Sequence, residues 1–481
     1  MSDDQACDSQ SIKLVGFAGK DLYQSREKIF TRYVGGPFQK IRFLTGWPLL
    51  AAYFVTPWLS WNGQQAILFD LSLNQFRLFG LTFWAQDLWL LGWLLMVAAF
   101  ALFTITAFVG RLWCGYTCPQ TIWTAIFMWA EQITEGNRHQ RIRLENAPFS
   151  AAKLRKRVSK HALWLGVSFL TGVTFVAYFV PARELAFDLV DVAETNIFLT
   201  WSGFWIVFFS AATYINAGWM REQICIYMCP YARFQSAMID ANTLVVSYDP
   251  SRGEPRGSRK RDVSTDLGSC IDCEMCVQVC PTGIDIRQGL QYECIGCAHC
   301  IDACNQVMSQ MGYAKDLVSY TTANRLQGLQ HKLLSAKGLG YAGVCVLLAC
   351  AFALAVTYRN PFSFDLLRER EALYHVTEDA RARNDYQLIV LNKSQQPASY
   401  AVRVLAPDWL IVEDLAPMSV AAGELANFDL SLISDKALAN TKPSAQSLLT
   451  STEVQLQLCH RETQQCVTDK TRFLSPARAI H

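Results

Sequence analysis

Long apolar runs separated by polar segments occupy most of the chain. Five of them approach or exceed the length of about 20 residues that a membrane-spanning helix needs. These runs cover residues 43–69, 88–110, 162–180, 195–220 and 338–358. Trp58, Trp89 and Trp219 lie near run ends, where interfacial aromatic side chains are common. The pattern predicts an α-helical membrane bundle of five spans.

After the fifth run the pattern changes to alternation. Apolar residues occupy every second position in 400–404, 428–432 and 454–458, and turn-forming residues separate these stretches. A period of two is typical of β-strands that bury one face. About 100 residues of such short strands predict a C-terminal immunoglobulin-like β-sandwich.

The distribution of lysine and arginine predicts the orientation of the spans. Residues 1–42, 111–160 and 221–337 contain seven, nine and twelve basic residues, and the loops 70–87 and 181–194 contain one each. Because basic loops stay on the cytoplasmic side, we expect the N-terminus in the cytoplasm and the sandwich in the periplasm of a Gram-negative cell.

Composition agrees with a multi-pass protein of the bacterial inner membrane. The chain is 51% hydrophobic and 17% charged, whereas soluble domains carry about 25% charged residues. The formal net charge is only +2. No basic footprint for nucleic acid is therefore evident.

Eight cysteines repeat one ligand spacing twice. The copies are Cys270-x2-Cys273-x2-Cys276-x3-Cys280-Pro281 and Cys294-x2-Cys297-x2-Cys300-x3-Cys304, the second followed by Asn305 instead of proline. In the bacterial ferredoxin pattern, the fourth cysteine of each copy binds the other cluster. The spacing predicts two [4Fe–4S] clusters. Cluster 1 would be held by Cys270, Cys273, Cys276 and Cys304, and cluster 2 by Cys294, Cys297, Cys300 and Cys280. Disulfides, or two zinc sites of four thiolates each, are the alternatives.

Two more cysteine pairs share the motif Cys-x3-Cys-Pro. Cys114 and Cys118 follow the second apolar run, and Cys225 and Cys229 follow the fourth. Cysteines one helical turn apart can share a helix face, so two copies at one membrane depth could converge on four thiols. Soft thiolates suit Cu(I), zinc or iron–sulfur clusters. A copper site, a redox dithiol, a third metal centre and simple packing of small residues remain open. Short helices at the membrane interface are expected at 119–130 and 230–240.

These patterns divide the chain into five regions. They are a cytoplasmic tail (1–42), a four-span membrane domain with both Cys-x3-Cys-Pro motifs (43–240), a basic linker with a ferredoxin-like domain (241–337), the fifth span (338–358) and the periplasmic sandwich (359–481). The basic linker is expected to hold the ferredoxin-like domain near anionic lipid headgroups.

Other chemically active side chains have weaker assignments. Cys459 and Cys466 flank a polar turn and predict a hairpin disulfide, with copper binding that includes His460 as the alternative. We expect His299 to tune a cluster without coordinating it. No histidine lies inside a span, which argues against a membrane haem with two axial histidines. Packing is the expected role of the two span cysteines, Cys345 and Cys350, and Cys7 has no assigned role.

The combination resembles the cytochrome c oxidase accessory protein family called CcoG, FixG or RdxA. The resemblance rests on the five spans, the double-cluster module, the phrase Arg252-Gly-Glu-Pro-Arg-Gly257 and the β-rich tail, and it covers nearly the whole chain. The Cys-x3-Cys-Pro motifs are shared more widely, with membrane ferredoxin-type subunits of nitrate-reduction systems.

The resemblance implies an electron-transfer protein in biogenesis of the cbb-type oxidase. Such a protein would act as a cupric reductase, with Cys114, Cys118, Cys225 and Cys229 as the copper or redox thiols. Its expected partners are the oxidase assembly machinery, a copper transporter or copper chaperones, and a cytosolic electron donor. The alternatives are a quinone-linked membrane ferredoxin subunit and a non-enzymatic assembly scaffold.

Overall fold

The structure is a computed structural model that describes residues 28–259, 266–330, 335–369, 372–394, 396–413, 417–435 and 449–476. The chain divides into two compact units. Unit 1 contains the described residues of Met1–Leu59 and Gly92–Phe352, and unit 2 contains those of Ser60–Leu91 and Ala353–His481.

Helices form most of unit 1. The described α-helices are α1 (Pro37–Val55), α2 (Leu88–Val109), α3 (Leu112–Tyr116), α4 (Pro119–Glu135), α5 (Arg138–Asn146), α6 (Ala151–Val176), α7 (Ala182–Val190), α8 (Val192–Thr195), α9 (Trp201–Thr213), α10 (Pro230–Met238), α11 (Pro250–Gly253), α12 (Met275–Gln278), α13 (His299–Met311), α14 (Ala323–Leu326) and α15 (Ala336–Thr357). After α9 the chain continues as π-helix at Tyr214–Met220 and Ile224–Met228.

Strands form most of unit 2. The described strands are β1 (Ser60–Trp61), β2 (Gln64–Gln65), β3 (Ile67–Asp70), β4 (Gln75–Leu78), β5 (Leu81–Trp84), β6 (Val245–Tyr248), β7 (Val318–Thr321), β8 (Phe362–Arg368), β9 (His375–Val376), β10 (Ala382–Asn392), β11 (Ala398–Ala406), β12 (Leu410–Glu413), β13 (Met418–Val420), β14 (Leu425–Ser434), β15 (Leu449–His460) and β16 (Cys466–Pro476). Only β6 and β7 belong to unit 1, where they pair antiparallel.

The start of α1 is fixed by a residue distant in sequence. Pro37 occupies the first turn, where its missing N–H costs nothing. The buried Asp302 carboxylate accepts hydrogen bonds from the backbone N–H groups of Phe38 and Gln39, at 3.3 and 2.9 Å. A carboxylate that satisfies free N–H groups at a helix N-terminus stabilises the helix. Asp302 lies on α13, so α1 is fastened to the cysteine-rich module.

The end of α1 differs from the sequence prediction. The helix stops at Val55, and Pro57, which has no N–H to donate, lies in the 3₁₀ turn that follows. Strands β1 to β3 then occupy much of what the apolar pattern predicts as the rest of a span over 43–69. An apolar run alone did not distinguish the helix from the strands that follow it.

Two described helices, Ala85–Val109 and Ala336–Thr357, are long and apolar enough to cross a membrane, judged by length and composition alone. They coincide with the second and fifth predicted spans. The helix α6 carries basic residues in its first half, and α9 contains only 13 residues before the π-helical segment. The other three predicted spans contain helices, but these fall short of the same criterion.

Helices α4 and α6 pack with the first π-helical segment around large aromatic side chains. Phe127 and Trp164 are buried there with Ala217. Beside this core, Glu131 on α4 forms ion pairs with Arg141 at 2.8 Å and Arg221 at 2.5 Å. Buried charges need such partners, because removing one partner leaves an uncompensated charge. The ion pair with Arg221 holds the backbone just before the second Cys-x3-Cys-Pro motif.

Unit 2 is a β-sandwich with an added three-stranded sheet. One sandwich sheet has the order β12-β14-β10-β8, with β9 also paired to β10, and the other has the order β13-β11-β15-β16. Leu388 and Leu430 from the first sheet and Tyr400 and Leu456 from the second contribute to one buried core. The added sheet, β3-β4-β5, leads to Asp87, which pairs with Lys393 at 3.0 Å and Arg359 at 3.2 Å.

Candidate iron–sulfur and thiol sites

The four thiols predicted for cluster 2 line one cavity. Cys280 follows α12, Cys294 and Cys297 lie in the loop before α13, and Cys300 is in the first turn of that helix. Isoleucine side chains supply much of the remaining wall: Ile284, Ile286 and Ile295. Cys276, which is predicted for cluster 1, lines the same cavity as a fifth thiol. Thiols and apolar walls suit a [4Fe–4S] cluster, whose ligands are cysteine thiolates.

The four thiols predicted for cluster 1 also come together. Cys304 lies within electrostatic range of Cys270 and Cys273, and Cys276 lies within range of Cys273 and Cys304. Cys273 is exposed, whereas Cys270 and Cys276 are buried. Cys273 is the one exposed residue among the eight predicted cluster ligands, so cluster 1 would approach the surface at Cys273.

The two cysteine loops have the same backbone conformation around their central cysteine. Asp272 and Glu274, on either side of Cys273, have φ values of 54° and 55°. Gly296 and Ala298, on either side of Cys297, have φ values of 66° and 60°. Three of these four residues are not glycine, so the left-handed backbone costs free energy that the surrounding structure must offset. The repeated conformation fits two loops that each wrap three corners of a cluster.

Burial governs the acidity of the predicted cluster thiols. Burial raises the pKa of the Cys276 and Cys294 thiols to about 12. These groups therefore ionise when a bound cation replaces the lost solvation, as it does for a coordinating thiol. Among the described residues, no three His, Cys, Asp or Glu side chains converge closely enough for one metal ion, either at the cluster cysteines or at the Cys-x3-Cys-Pro motifs.

The two Cys-x3-Cys-Pro motifs converge, although they are far apart in sequence. Cys225 lies within electrostatic range of Cys114, Cys118 and Cys229, and Cys118 lies within range of Cys229. We call these four residues the thiol quartet. The helices α4 and α10 begin at the prolines of the two motifs and extend over Pro119–Glu135 and Pro230–Met238.

A buried amide belongs to the same site. The Cys114 thiol lies 3.2 Å from Gln235 Oε1 and donates to it. Gln235 is fully buried on α10, one helix turn after the second motif. The sequence analysis missed Gln235, because an amide on a short helix gives no motif signal.

The thiol quartet lies directly against the cluster 2 loop. A Cβ atom built on Gly115 would lie 2.7 Å from the carbonyl oxygen of Gly296 and 3.0 Å from Cys297 Cα. Real Cβ atoms do not approach backbone atoms so closely, so only glycine fits at position 115. Gly115 follows Cys114 and Gly296 precedes Cys297, so the two ligand segments are in backbone contact.

His299 connects the cluster 2 loop to α1. Its Nε2 atom lies 2.7 Å from Gln39 Oε1, and its ring also contacts the Arg42 guanidinium. Burial, together with the Arg42 charge, lowers the pKa of His299 to about 3. The imidazole is therefore neutral at physiological pH.

The remaining candidates have structural roles. Cys459 and Cys466 form a disulfide between β15 and β16. His460 Nδ1 accepts hydrogen bonds from two backbone N–H groups of the adjacent turn. Cys345 contacts the Val97 carbonyl at 4.0 Å, and Cys350 is exposed. Cys7 lies outside the described residues.

Two cluster loops, four converging thiols and a β-sandwich define an iron–sulfur electron-transfer protein. Comparison with family models agrees: a 4Fe-4S dicluster domain matches residues 220–323, a 4Fe-4S binding domain matches 90–136, and an Ig-like fold at the C-terminus of FixG matches 352–476. The ferredoxin-type iron–sulfur and Ig-like predictions are thereby confirmed.

Curated relatives give the family. The nitrogen fixation protein FixG of Rhizobium meliloti is 35% identical over 425 residues, which cover 80% of each chain. Proteins RdxA and RdxB of Cereibacter sphaeroides are each 37% identical, over 80% of this chain and 83% of theirs. This chain belongs to the FixG/RdxA family. A crystal structure of a FixG-related protein from Vibrio parahaemolyticus is 24% identical and covers 24% of this chain and 98% of its own, with a TM-score of 0.20.

Proposed function

We propose that this protein transfers electrons from the cytoplasm through two [4Fe–4S] clusters to the thiol quartet, where Cu(II) is reduced to Cu(I) for biogenesis of the cbb-type cytochrome c oxidase. The observation that carries the proposal is the backbone contact between Gly115 and Gly296. It brings the segment with Cys114 against the loop with Cys297. Two redox sites in backbone contact are close enough to exchange electrons.

The exposure of the thiols supports a direction for this transfer. Bound clusters supply one-electron chemistry over a wide range of potentials. Cys273 reaches the surface, where a soluble carrier can dock, whereas Cys294, Cys297 and Cys300 surround an internal cavity. Cluster 1 is therefore the acceptor from a cytosolic one-electron donor, and cluster 2 is the donor to the thiol quartet.

The chemistry at the thiol quartet is the addition of one electron to a copper substrate. Each Cu(II) gains one electron from the reduced module and becomes Cu(I), and the cytosolic carrier restores that electron. Thiolates are soft ligands that favour Cu(I) over Cu(II). The quartet thereby stabilises the product of the reaction more than its substrate.

We further propose that the chain is a multi-pass inner-membrane protein with five spans and a periplasmic Ig-like domain. Apolar side chains exposed on α6 and α9 support this, among them Leu165 and Val207, each 56% exposed. Large exposed apolar surfaces of this kind mark contact with lipid or with a partner. The copper transporter, the copper chaperones and the oxidase assembly machinery would be the partners of this protein.

Replacement of quartet thiols tests the copper reaction. We expect Cys118→Ser combined with Cys229→Ser to abolish Cu(II) reduction by the anaerobically purified, pre-reduced protein, while about eight irons per chain remain, as two clusters require. Cys350→Ser is the matched control, because Cys350 is exposed on α15 outside the site. Full Cu(II) reduction by the double variant would refute the assignment.

The same experiment tests a second candidate for the thiol quartet. The 4Fe-4S binding family model covers Cys114 and Cys118, which favours a third cluster at the quartet. In that case the wild-type protein would contain about twelve irons per chain. The double variant would then lose about four of them.

A further inference from the structure

We propose that Arg111 couples cluster 2 to the thiol quartet, because its guanidinium fixes the two sites against each other and raises the reduction potential of cluster 2. This inference deepens the proposed function. It rests on copper at the thiol quartet being the acceptor of the electron from cluster 2. Arg111 lies just before α3 and three residues before Cys114. It is an arginine that is only 8% exposed.

The Arg111 guanidinium joins three segments of the chain. It donates hydrogen bonds to the carbonyl oxygens of Tyr292 and Cys294, which belong to the cluster 2 loop. It also donates to the carbonyl oxygen of Ala232 at 2.6 Å, on the helix that begins at the second motif. The planar fork of arginine presents donors on two terminal nitrogens, so one side chain serves acceptors in such different directions at once. The guanidinium also lies 4.9 Å from the centre of the Tyr292 ring, a cation–π contact.

The Arg111 backbone takes part in the same contact. A Cβ atom on Gly296 would lie 3.3 Å from the Arg111 carbonyl oxygen, which is tighter than most Cβ contacts. Gly296 has a φ of 66° and is the residue immediately before Cys297. Backbone and side chain of Arg111 therefore hold the same loop, and the spacing between the cluster 2 loop and the quartet depends on this residue.

The Arg111 charge acts on both sites. It lies within electrostatic range of the cluster 2 ligand Cys294 and of the quartet thiols Cys114 and Cys225. Four thiolates give a bound cluster negative charge, and reduction adds one more. A cation nearby lowers the cost of that added electron, because Coulomb interactions are strong where solvent is excluded. Arg42 supplies a second positive charge on this module, within range of Cys297.

Cluster 1 has a matched arginine that serves as the control. Arg252 donates to the carbonyl oxygens of Lys315 and Ala314, at 2.9 and 3.0 Å, and lies within electrostatic range of Cys304. It thus combines carbonyl hydrogen bonds and proximity to a ligand, as Arg111 does, but at the other cluster. Replacement of either arginine by glutamine removes one positive charge from one cluster only.

The test is a redox titration of the full chain in detergent, followed by electron paramagnetic resonance under anaerobic conditions. We expect Arg111→Gln to shift the midpoint potential of cluster 2 to more negative values and to leave cluster 1 unchanged. We expect Arg252→Gln to do the reverse. A cluster 2 potential in Arg111→Gln equal to that of the wild type, or an equal shift of both clusters, would overturn the proposal.

Arg111→Lys separates charge from position. Lysine keeps the positive charge but not the planar fork. We therefore expect a cluster 2 potential near the wild-type value together with slower single-turnover oxidation of cluster 2 by Cu(II) added to the reduced protein. Unchanged single-turnover oxidation in Arg111→Lys would also contradict the proposal, and this variant serves if Arg111→Gln fails to retain its iron. Cu(II) reduction by the wild type is measured separately. Its failure would refute the proposed function but would leave the shift in potential as a test of Arg111.

Discussion

Gly115→Ala is the sharpest perturbation of the contact between the two redox sites. The added Cβ atom would lie 2.7 Å from Gly296 O, 2.9 Å from Gly296 C and 3.0 Å from Cys297 Cα. Ordinary contact begins at 3.4 Å, so the loop must move by about 0.7 Å, the difference between 3.4 and 2.7 Å. All three obstructing atoms belong to the backbone, and a change of side-chain rotamer cannot relieve the clash.

Overpacking of this kind typically costs about 1–3 kcal/mol. We therefore expect Gly115→Ala to unfold at a lower temperature than the wild type in a thermal melt in detergent. We also expect slower oxidation of cluster 2 by added Cu(II) in stopped-flow spectroscopy, because the cluster 2 loop and the segment with Cys114 must separate. Iron content should remain at the wild-type level, since none of the cluster cysteines is replaced.

Gly166→Ala is the matched control for this substitution. Gly166 lies within α6, and a Cβ atom there meets nothing within 4 Å. Alanine in a helix interior is favoured over glycine by about 1 kcal/mol, so the control should be as stable as the wild type or more stable. If Gly115→Ala matched the control in both melting temperature and electron-transfer rate, the inference of backbone contact would fail.

Two further substitutions test how other parts of the chain are held. Asp302→Ala removes the acceptor for two N–H groups of α1 and should lower the free energy of unfolding by about 1–2 kcal/mol. Asp302→Asn keeps an acceptor oxygen and should retain much of that free energy. Equal melting temperatures for Asp302→Ala and the wild type would count against the cap. Asp87→Asn leaves Lys393 buried beside Arg359 without a counter-charge, and removal of one partner of a buried pair costs about 3–5 kcal/mol. Calorimetry of Asp87→Asn should show unfolding at a lower temperature than in the wild type. Adding Lys393→Met to Asp87→Asn should partly restore the unfolding temperature. An unchanged unfolding temperature in Asp87→Asn alone would contradict the buried pairing.

The sequence supports the cluster assignment because ligand spacing is a local property. The repeated intervals from Cys270 to Cys304 determine which thiols can wrap a cube, and alternation after residue 360 determines which strand faces are buried. Convergence of Cys114 with Cys225 is different, because it depends on how helices pack. The sequence allows this convergence but does not specify it.

The other features beyond sequence reasoning share this tertiary origin. In the sequence, Arg111 is one basic residue at the end of an apolar run. Only the fold brings the three carbonyl groups that accept its hydrogen bonds together. In the sequence, Asp302 is a residue between two predicted ligands, although in the fold it caps the start of α1. The end of α1 at Val55 had a local signal in Pro57, which the length of the apolar run obscured.

The cap on α1 has a consequence for biosynthesis. Phe38 and Asp302 are separated by 264 positions, and a ribosome adds about 5–20 residues per second, so the helix emerges roughly 13–53 seconds before the carboxylate that completes it. During that interval the leading N–H groups of α1 lack their carboxylate acceptor and can bind only water. Folding of α13, which carries Asp302 between Cys300 and Cys304, is therefore the event that completes the N-terminus of α1.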